Sequence, residues 1–299
     1  MLLQSALRGM LSKSTEQKDS ESMMTERHFG IDVSTWQTGI DYTRAVREGG
    51  VEFAYLRAGF GKNVATQKDN RFEEHYNGFI RAGIPLGAYQ YSYAKSPADA
   101  VYEAKAMLEW VEGKNFDLPL FLDMEESTVA ELGKDTCTMI ACAWMDIITN
   151  AGYECGIYSN PNWFTNYLDP DRIAEKGYIW CASWATEKPE YPNMLMWQYG
   201  GEINKLGDRA VAGVGEVVDQ NFFYGPLTYE VQTEWKYVRC TKKTVTLDRD
   251  GKREFGRWID KGDLCTIRLV DSPLIEVIYP TATGLRTAYL KDIENFRSE

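Results

Sequence analysis

The chain is poor in the residues from which most metal and redox sites are built. Two histidines occur in 299 residues, and the six cysteines (Cys137, Cys142, Cys155, Cys181, Cys240 and Cys265) form no CxxC pair. Zinc and iron–sulfur centres need such ligands at short, fixed spacings, so both are disfavoured and no metal or other cofactor is expected. Several cysteines lie inside apolar runs such as "ECGIYS" and "YIWCASW". There they read as small buried hydrophobes in a protein that folds in a reducing compartment. No stretch reaches the roughly 18 apolar residues that a membrane-crossing helix needs, so no membrane partner is expected. Basic residues are in deficit, with 33 Lys and Arg against 44 Asp and Glu for a net charge of −11. The deficit lies in residues 1–228, with 20 basic and 32 acidic side chains; residues 229–299 carry 13 and 12. A surface that acidic repels phosphate backbones and anionic lipids, which argues against nucleic acid as a partner.

Aromatic residues, by contrast, are plentiful, with 9 Trp and 18 Tyr. Their flat faces suit sugar rings, but they suit protein cores equally, and composition does not choose. A hydrophobic share of 44% with 26% charged residues describes a globular chain, long enough for one large α/β domain and a small one. The opening "MLLQSALRGMLSK" is too short, and too interrupted by Arg8, for a secretory apolar region. Residues 12–26 are polar and expected to be disordered. The doublet Met23-Met24 suggests an internal translation start. Residues 1–27 are therefore expected to be disordered or mis-started, in a protein made in the cytoplasm without a signal peptide.

From residue 29 to about 225, strand-like runs alternate with helical patterns. The strand candidates are 29–34, 52–58, 85–92, 118–124, 155–159, 178–184, 194–199 and 214–223; the helical segments are 42–48, 70–82, 97–112 and 135–151. Phe72, Tyr76, Phe79 and Ile80 have the spacing of a helix with one apolar face. Ser96-Pro97 is a helix start, with Ser as cap and Pro at the first helical position. Strand–helix alternation implies parallel strands joined by crossover helices. Eight strands suggest closure into an irregular β/α barrel over 28–226, complete in its first five units and mostly β in its last three. Gly225-Pro226 marks its end. Helical periodicity is then lost, and 227–299 is expected to form a small all-β barrel.

Carboxylates gather where such a barrel would react. The run "PLFLDMEES" (119–127) is apolar up to Leu122 and then turns acidic. Reacting groups of a β/α barrel sit at the C-terminal strand ends. Asp32 ends the first strand candidate, Asp123 and Glu125 end the fourth, and Asp219 lies in the eighth. Strands one and eight adjoin on closure, so Asp32 and Asp219 are expected to be neighbours. Residues i and i+2 of a strand share a face about 6.6–6.8 Å apart, so Asp123 and Glu125 can both face the mouth. Paired carboxylates at such separations suit glycoside hydrolysis, one protonated and one ionised. Crowded anions raise the pKa of the most desolvated member.

In order along the chain, "FGIDVSTWQ", "GAYQYS", "LFLDMEE", "GIYSN", "WCASWA", "MWQYG" and "VDQNFF" resemble glycoside hydrolase family 25, the lysozymes of bacterial and phage origin. The resemblance covers about residues 29–225 and implies an eight-stranded irregular barrel. It further implies cleavage of the β-1,4 bond between N-acetylmuramic acid and N-acetylglucosamine in peptidoglycan. By motif, Glu125 would be the general acid/base and Asp123 its anionic partner. Asp123 would either support the substrate's own acetamido group as nucleophile or attack directly. Asp32 and Asp219 would bind the sugar and tune the pair. Tyr89, Tyr91, Tyr158, Trp184 and Trp197 occupy the aromatic positions and are candidates for substrate binding, with core packing as the alternative for each. Gln90 stands where the family often has histidine, a departure not expected to abolish chemistry carried by carboxylates.

Residues 227–299, with a "KGD" turn and a closing "GLRTAYL", are similar to the small bacterial Src-homology-3-like barrels of wall hydrolases. That similarity implies wall targeting by tethering; a spacer or a self-association module is the alternative. Together these readings describe a peptidoglycan hydrolase, of phage or prophage endolysin type, acting on Gram-positive walls after release through a phage-encoded pore or after export. The competing reading is a non-catalytic wall-glycan-binding protein on the same barrel.

Overall fold

The computed structural model describes residues 27–184, 187–201, 209–215, 217–227, 236–269 and 274–298. The N-terminal segment with its methionine doublet lies outside the described residues, as do 228–235, which join the two β-rich parts. Eight strands close in chain order: β1 (His28–Val33), β2 (Phe53–Phe60), β3 (Leu86–Tyr91), β4 (Leu120–Asp123), β5 (Cys155–Ser159), β6 (Tyr178–Ala182), β7 (Met194–Gly200) and β8 (Asp219–Phe223). Strands β1 to β7 run parallel to their neighbours, whereas β8 runs antiparallel to both β7 and β1. An antiparallel return needs no crossover helix, and none is present among the described residues between β7 and β8.

The four helices legible in the sequence are α1 (Tyr42–Arg47), α3 (Phe72–Ala82), α4 (Pro97–Val111) and α6 (Lys134–Asn150). Ser96 caps α4 by accepting from the Asp99 amide, with Pro97 at the first helical position. Four further helices are too short to show a period: α2 (Val64–Gln67), α5 (Ser127–Ala130), α7 (Pro161–Asn166) and α8 (Pro170–Ala174). The pairs Asn160-Pro161 and Asp169-Pro170, each a cap followed by proline, were the signal for the last two.

Two apolar layers hold the barrel. Outward-facing strand residues pack on the helices, with Trp110, Trp144, Met145 and Phe79 fully buried between. Inward-facing Phe53, Tyr55, Phe121, Trp180, Met196 and Phe223 fill the interior. Eight strands leave room only for side chains, and large rings fit because glycines oppose them. A Cβ at Gly30 would enter the Phe53 ring, one at Gly87 the Tyr55 ring, and one at Gly156 the Phe121 ring.

The C-terminal part is a seven-stranded antiparallel sheet of β9 (Lys236–Cys240), β10 (Thr244–Leu247), β11 (Arg253–Ile259), β12 (Leu264–Leu269), β13 (Ile275–Thr281), β14 (Gly284–Leu290) and β15 (Phe296–Ser298). Their order is β11-β10-β14-β13-β12-β9-β15. Val238, Cys240, Ile259, Cys265, Val277 and Tyr279 form its core. The sheet is fixed to the barrel. The Tyr76 hydroxyl on α3 accepts from the Asn115 amide and bonds the Thr287 hydroxyl, each at 2.9 Å. Arg268 pairs with Asp117 at 3.8 Å and Arg257 with Glu112 at 3.3 Å. Ile278 of β13 belongs to the barrel–helix core. Residues 112–117 lead into the start of β4, so the sheet docks at the end of the barrel opposite the C-terminal strand ends.

Candidate active site

Asp32 sits one residue before the end of β1, and Asp219 is the first residue of β8. Because β8 is antiparallel, its start lies at the mouth where β1 finishes, and the register pairs Asp32 with Asp219. The position of Asp219 is thus a strand start and not a strand end. On β4, the Ser92 amide donates to the Asp123 carbonyl at 2.9 Å and the Met124 amide to the Tyr158 carbonyl at 3.0 Å. The Ser159 hydroxyl donates to the Met124 carbonyl at 2.5 Å. With its exit stitched between β3 and β5, the strand keeps its alternation. Met124 turns outward and is buried, while Asp123 and Glu125 turn inward. All four carboxylates line one pocket, together with Tyr89, Tyr91, Tyr158, Trp180, Gln198 and Arg57.

The carboxylates have different surroundings. Asp32 is buried, and one of its oxygens accepts from Gln198 Nε2 at 3.0 Å and from Asn221 Nδ2 at 2.8 Å. Those amides are themselves held, Gln198 by the Tyr158 hydroxyl at 3.2 Å and Asn221 by Trp180 Nε1 at 2.9 Å. Burial pushes the Asp32 carboxyl up to about 6; the two amide hydrogen bonds oppose the rise, and the charge of Glu125 adds to it. Asp123 is buried too, and its Oδ1 meets no hydrogen-bond donor. Its pKa is driven well above the carboxylate range, first by burial and then by Glu125 and Asp32, with Arg57 pulling the other way. Glu125 stands in the open mouth, accessible to solvent, yet the walls beside it still raise its pKa through desolvation. A carboxyl whose pKa is raised in a cleft, beside a second carboxyl with an oxygen that no donor meets, is equipped for proton transfer to a bound ligand.

The structure divides the five aromatic candidates. Tyr89, Tyr91 and Tyr158 line the pocket. Trp184 stands at the rim, 39% exposed, with its ring beside Gly201. Trp197 lies outside the pocket: it is 8% exposed in the barrel–helix layer, with Nε1 donating to the Ser183 carbonyl at 2.6 Å. Neighbours on a strand face opposite ways, and at this point Gln198 takes the inward place. Gln90 also faces outward. It donates to the Gly61 and Glu103 carbonyls and accepts from Trp144 Nε1, all at 2.8 Å, so it ties β3 to two helices away from the pocket. Sequence reasoning missed Trp36, Arg57, Trp180, Gln198 and Asn221. The parity of Trp180 with Tyr178, of Asn221 with Asp219 and of Arg57 with Tyr55 was the signal available. Among the described residues, no three of His, Cys, Asp and Glu are disposed to hold a metal ion.

The sequence profile "Glycosyl hydrolases family 25" matches residues 31–208, more than half of the chain. Asp219 lies beyond that range, and its place at the mouth rests on the register with Asp32. The autolytic lysozyme of Clostridium acetobutylicum is 26% identical over 184 residues, 60% of this chain and 53% of that protein. Among solved structures, the modular autolysin LytC of Streptococcus pneumoniae, in complex with a synthetic peptidoglycan ligand, has a TM-score of 0.57 at 23% identity. It covers 67% of this chain, and the match spans 47% of its own. The spore cortex lytic enzyme SleM of Clostridium perfringens has a TM-score of 0.56 at 18% identity, covering 91% of this chain and 97% of its own. The chain therefore spans about half the length of the first two relatives, while its fold likeness to SleM reaches into the C-terminal sheet. The chain belongs to glycosyl hydrolases family 25.

Proposed function

We propose that the protein is an N-acetylmuramidase that hydrolyses the β-1,4 bond between N-acetylmuramic acid and N-acetylglucosamine in peptidoglycan. The observation that carries this reading is the convergence of Asp32, Asp123, Glu125 and Asp219 on one pocket, with Asp123 Oδ1 buried and unpaired. Family membership and the similarity to an autolytic lysozyme support it.

In the proposed reaction Glu125 gives its proton to the glycosidic oxygen as the bond to the anomeric carbon breaks. The substrate's acetamido oxygen closes on that carbon, while its N–H donates to the vacant acceptor of Asp123. Positive charge developing on the ring favours the ionised form of Asp123, which the empty pocket resists. Water then attacks the anomeric carbon, giving a proton to the ionised Glu125, and the bond to the acetamido oxygen breaks, which restores the acetamido group and the protonated Glu125. Asp32 and Asp219 hold sugar hydroxyls, and Tyr89, Tyr91 and Tyr158 shape the wall against the ring. Peptidoglycan de-N-acetylated on muramic acid separates this route from direct attack by Asp123, because only direct attack tolerates loss of the acetamido group.

The C-terminal sheet is proposed to bind the wall, with self-association as the alternative use of the same surface. The biological setting proposed is lysis of Gram-positive cells by a phage or prophage endolysin released from the cytoplasm. The deciding experiment digests purified peptidoglycan with wild type and with Glu125→Gln, reduces the soluble products with borohydride and identifies them by mass spectrometry. Fragments ending in reduced muramic acid, absent with the variant, are expected. Fragments ending in reduced glucosamine would overturn the bond assigned here. Absence of products from wild type, with wall binding intact, would favour a glycan-binding protein instead.

A further inference from the structure

One buried carboxylate near the site has no part in the reaction above. Asp69 lies between α2 and α3, and its side chain has no exposed surface. One of its oxygens accepts from Arg57 Nε at 2.8 Å and also from the Thr35 amide at 2.9 Å; the other accepts from the Arg71 amide at 2.9 Å. Arg57 projects from β2 into the pocket and is the one cation lining it among the described residues. Thr35 belongs to the loop after β1, which carries Trp36, a pocket-lining side chain 78% exposed at the rim. The same loop is held by His75 on α3, whose Nε2 lies 2.9 Å from the Ser34 carbonyl, and by Thr35 Oγ1 donating to Asn70 Oδ1 at 2.5 Å.

We infer that Asp69 is a positioning residue of the site: through Arg57 it aims the pocket's cation, and through Thr35 it fixes the loop that presents Trp36. A guanidinium on a flexible stem beside four carboxylates would otherwise collapse onto one of them and fill the space a sugar must enter. Held by its Nε on a fully buried anion, it instead acts on the cluster from a distance. The charged and titratable groups lining the pocket with it are Asp32 on β1, Tyr89 and Tyr91 on β3, Asp123 at the end of β4 with Glu125 just beyond it, Tyr158 on β5 and Asp219 on β8, with Asp69 beneath. Arg57 lowers the pKa of Asp123 and of Tyr89, in the direction this arrangement requires. The consequence for catalysis rests on the carboxylate reading proposed above; the positioning itself does not.

The test titrates the Asp123 carboxyl by carbon-13 NMR in the full chain without substrate, its resonance assigned by its loss in Asp123→Asn. In Arg57→Gln the Asp123 midpoint moves up by about one pH unit, as expected for removing a unit charge that acts across the pocket; in Arg57→Lys it returns towards wild type. In Asp69→Asn, where Arg57 loses its counter-charge, the midpoint moves down. Loss of the Asp69 charge by itself lowers the midpoint too; what a purely structural ion pair does not predict is an Arg57→Lys variant whose midpoint is near that of wild type while its turnover falls. Turnover of peptidoglycan by Asp69→Asn and Arg57→Lys falls about tenfold to a hundredfold through lost aim. An Asp123 midpoint that stays put in Arg57→Gln, or that moves the same way in Arg57→Gln and Asp69→Asn, overturns the inference. If Asp69→Asn does not fold, Asp69→Glu decides, because it keeps the charge and displaces the grip on Arg57 and Thr35: turnover is expected to fall, and turnover at the wild-type level overturns the inference. Because the titration needs no substrate, its outcome is independent of whether wild type yields fragments ending in muramic acid.

Discussion

At the scale of single residues, the four carboxylates set a cost in stability against a gain in chemistry. Asp123 has a raised pKa in the folded chain, so the unfolded chain ionises first as pH climbs above about 4. Over that range the native state binds more protons than the unfolded state, and stability falls with rising pH. Asp32, pushed up to about 6, acts in the same sense between its ordinary range and that value. Asp123→Asn keeps the shape and removes the ionisation. It should be more stable than wild type at pH 7, by roughly 1–3 kcal/mol, and equal to it near pH 3. Urea denaturation at the two pH values checks this; a variant less stable at pH 7 would refute the assignment of a raised pKa. Glu125→Gln should lower turnover by about a hundredfold to ten-thousandfold, the usual worth of a positioned general acid, with its fold intact by circular dichroism. Gln198→Ala removes one of the two donors to Asp32, so the Asp32 pKa should rise further above 6 and turnover should drop.

At the scale of elements, the barrel works because strands alternate strictly and glycines stand where rings need space. Gly156 on β5 is hemmed in twice, since a Cβ there meets the Tyr178 carbonyl as well as the Phe121 ring. A backbone carbonyl cannot rotate away, and Phe121 lies two residues before Asp123 on the same strand. Gly156→Ala should therefore cost about 1–3 kcal/mol through overpacking and reduce activity by shifting β4, seen as a lower melting temperature and lower turnover together. Alternation also explains the aromatic candidates. Motif position left Trp197 open between the pocket and the core, and its neighbour Gln198 has the inward parity, bonding Asp32 and receiving the Tyr158 hydroxyl. Reading β7 for parity relative to the fixed carboxylates would have separated the two. No local signal marked Arg57 as held by Asp69, because that contact joins residues twelve apart across a turn and a short helix.

At the scale of the molecule, the C-terminal sheet is docked and not loosely tethered. Tyr76 is fully buried, with its hydroxyl serving both the segment entering β4 and Thr287 of β14, while Ile278 joins the barrel's own core. The two parts should therefore unfold together, giving one calorimetric transition at pH 7; two resolved transitions would refute the coupling. Tyr76→Phe leaves the Asn115 amide without its acceptor and should cost about 1–3 kcal/mol, read as a lower midpoint without loss of the single transition. The docking end is opposite the mouth, so a wall polymer held by the sheet would approach from the far side of the barrel.

The sequence alone determined the strand–helix alternation, the closure of eight strands and the carboxylate pair on the fourth. Each of these is written in local spacing: period two for strands, 3.6 for helices, and an i, i+2 pair at a strand exit. What only the tertiary structure decided is what those groups feel. The reversal of β8 set Asp219 opposite Asp32, although its order in the chain gives no direction. Burial separated Asp123, whose Oδ1 meets no donor, from Asp32, clasped by two amides, though both are aspartates at the mouth of one barrel. Desolvation and hydrogen bonding depend on which side chains arrive from strands far apart in sequence, and closure of the barrel is what brings Gln198 and Asn221 to Asp32.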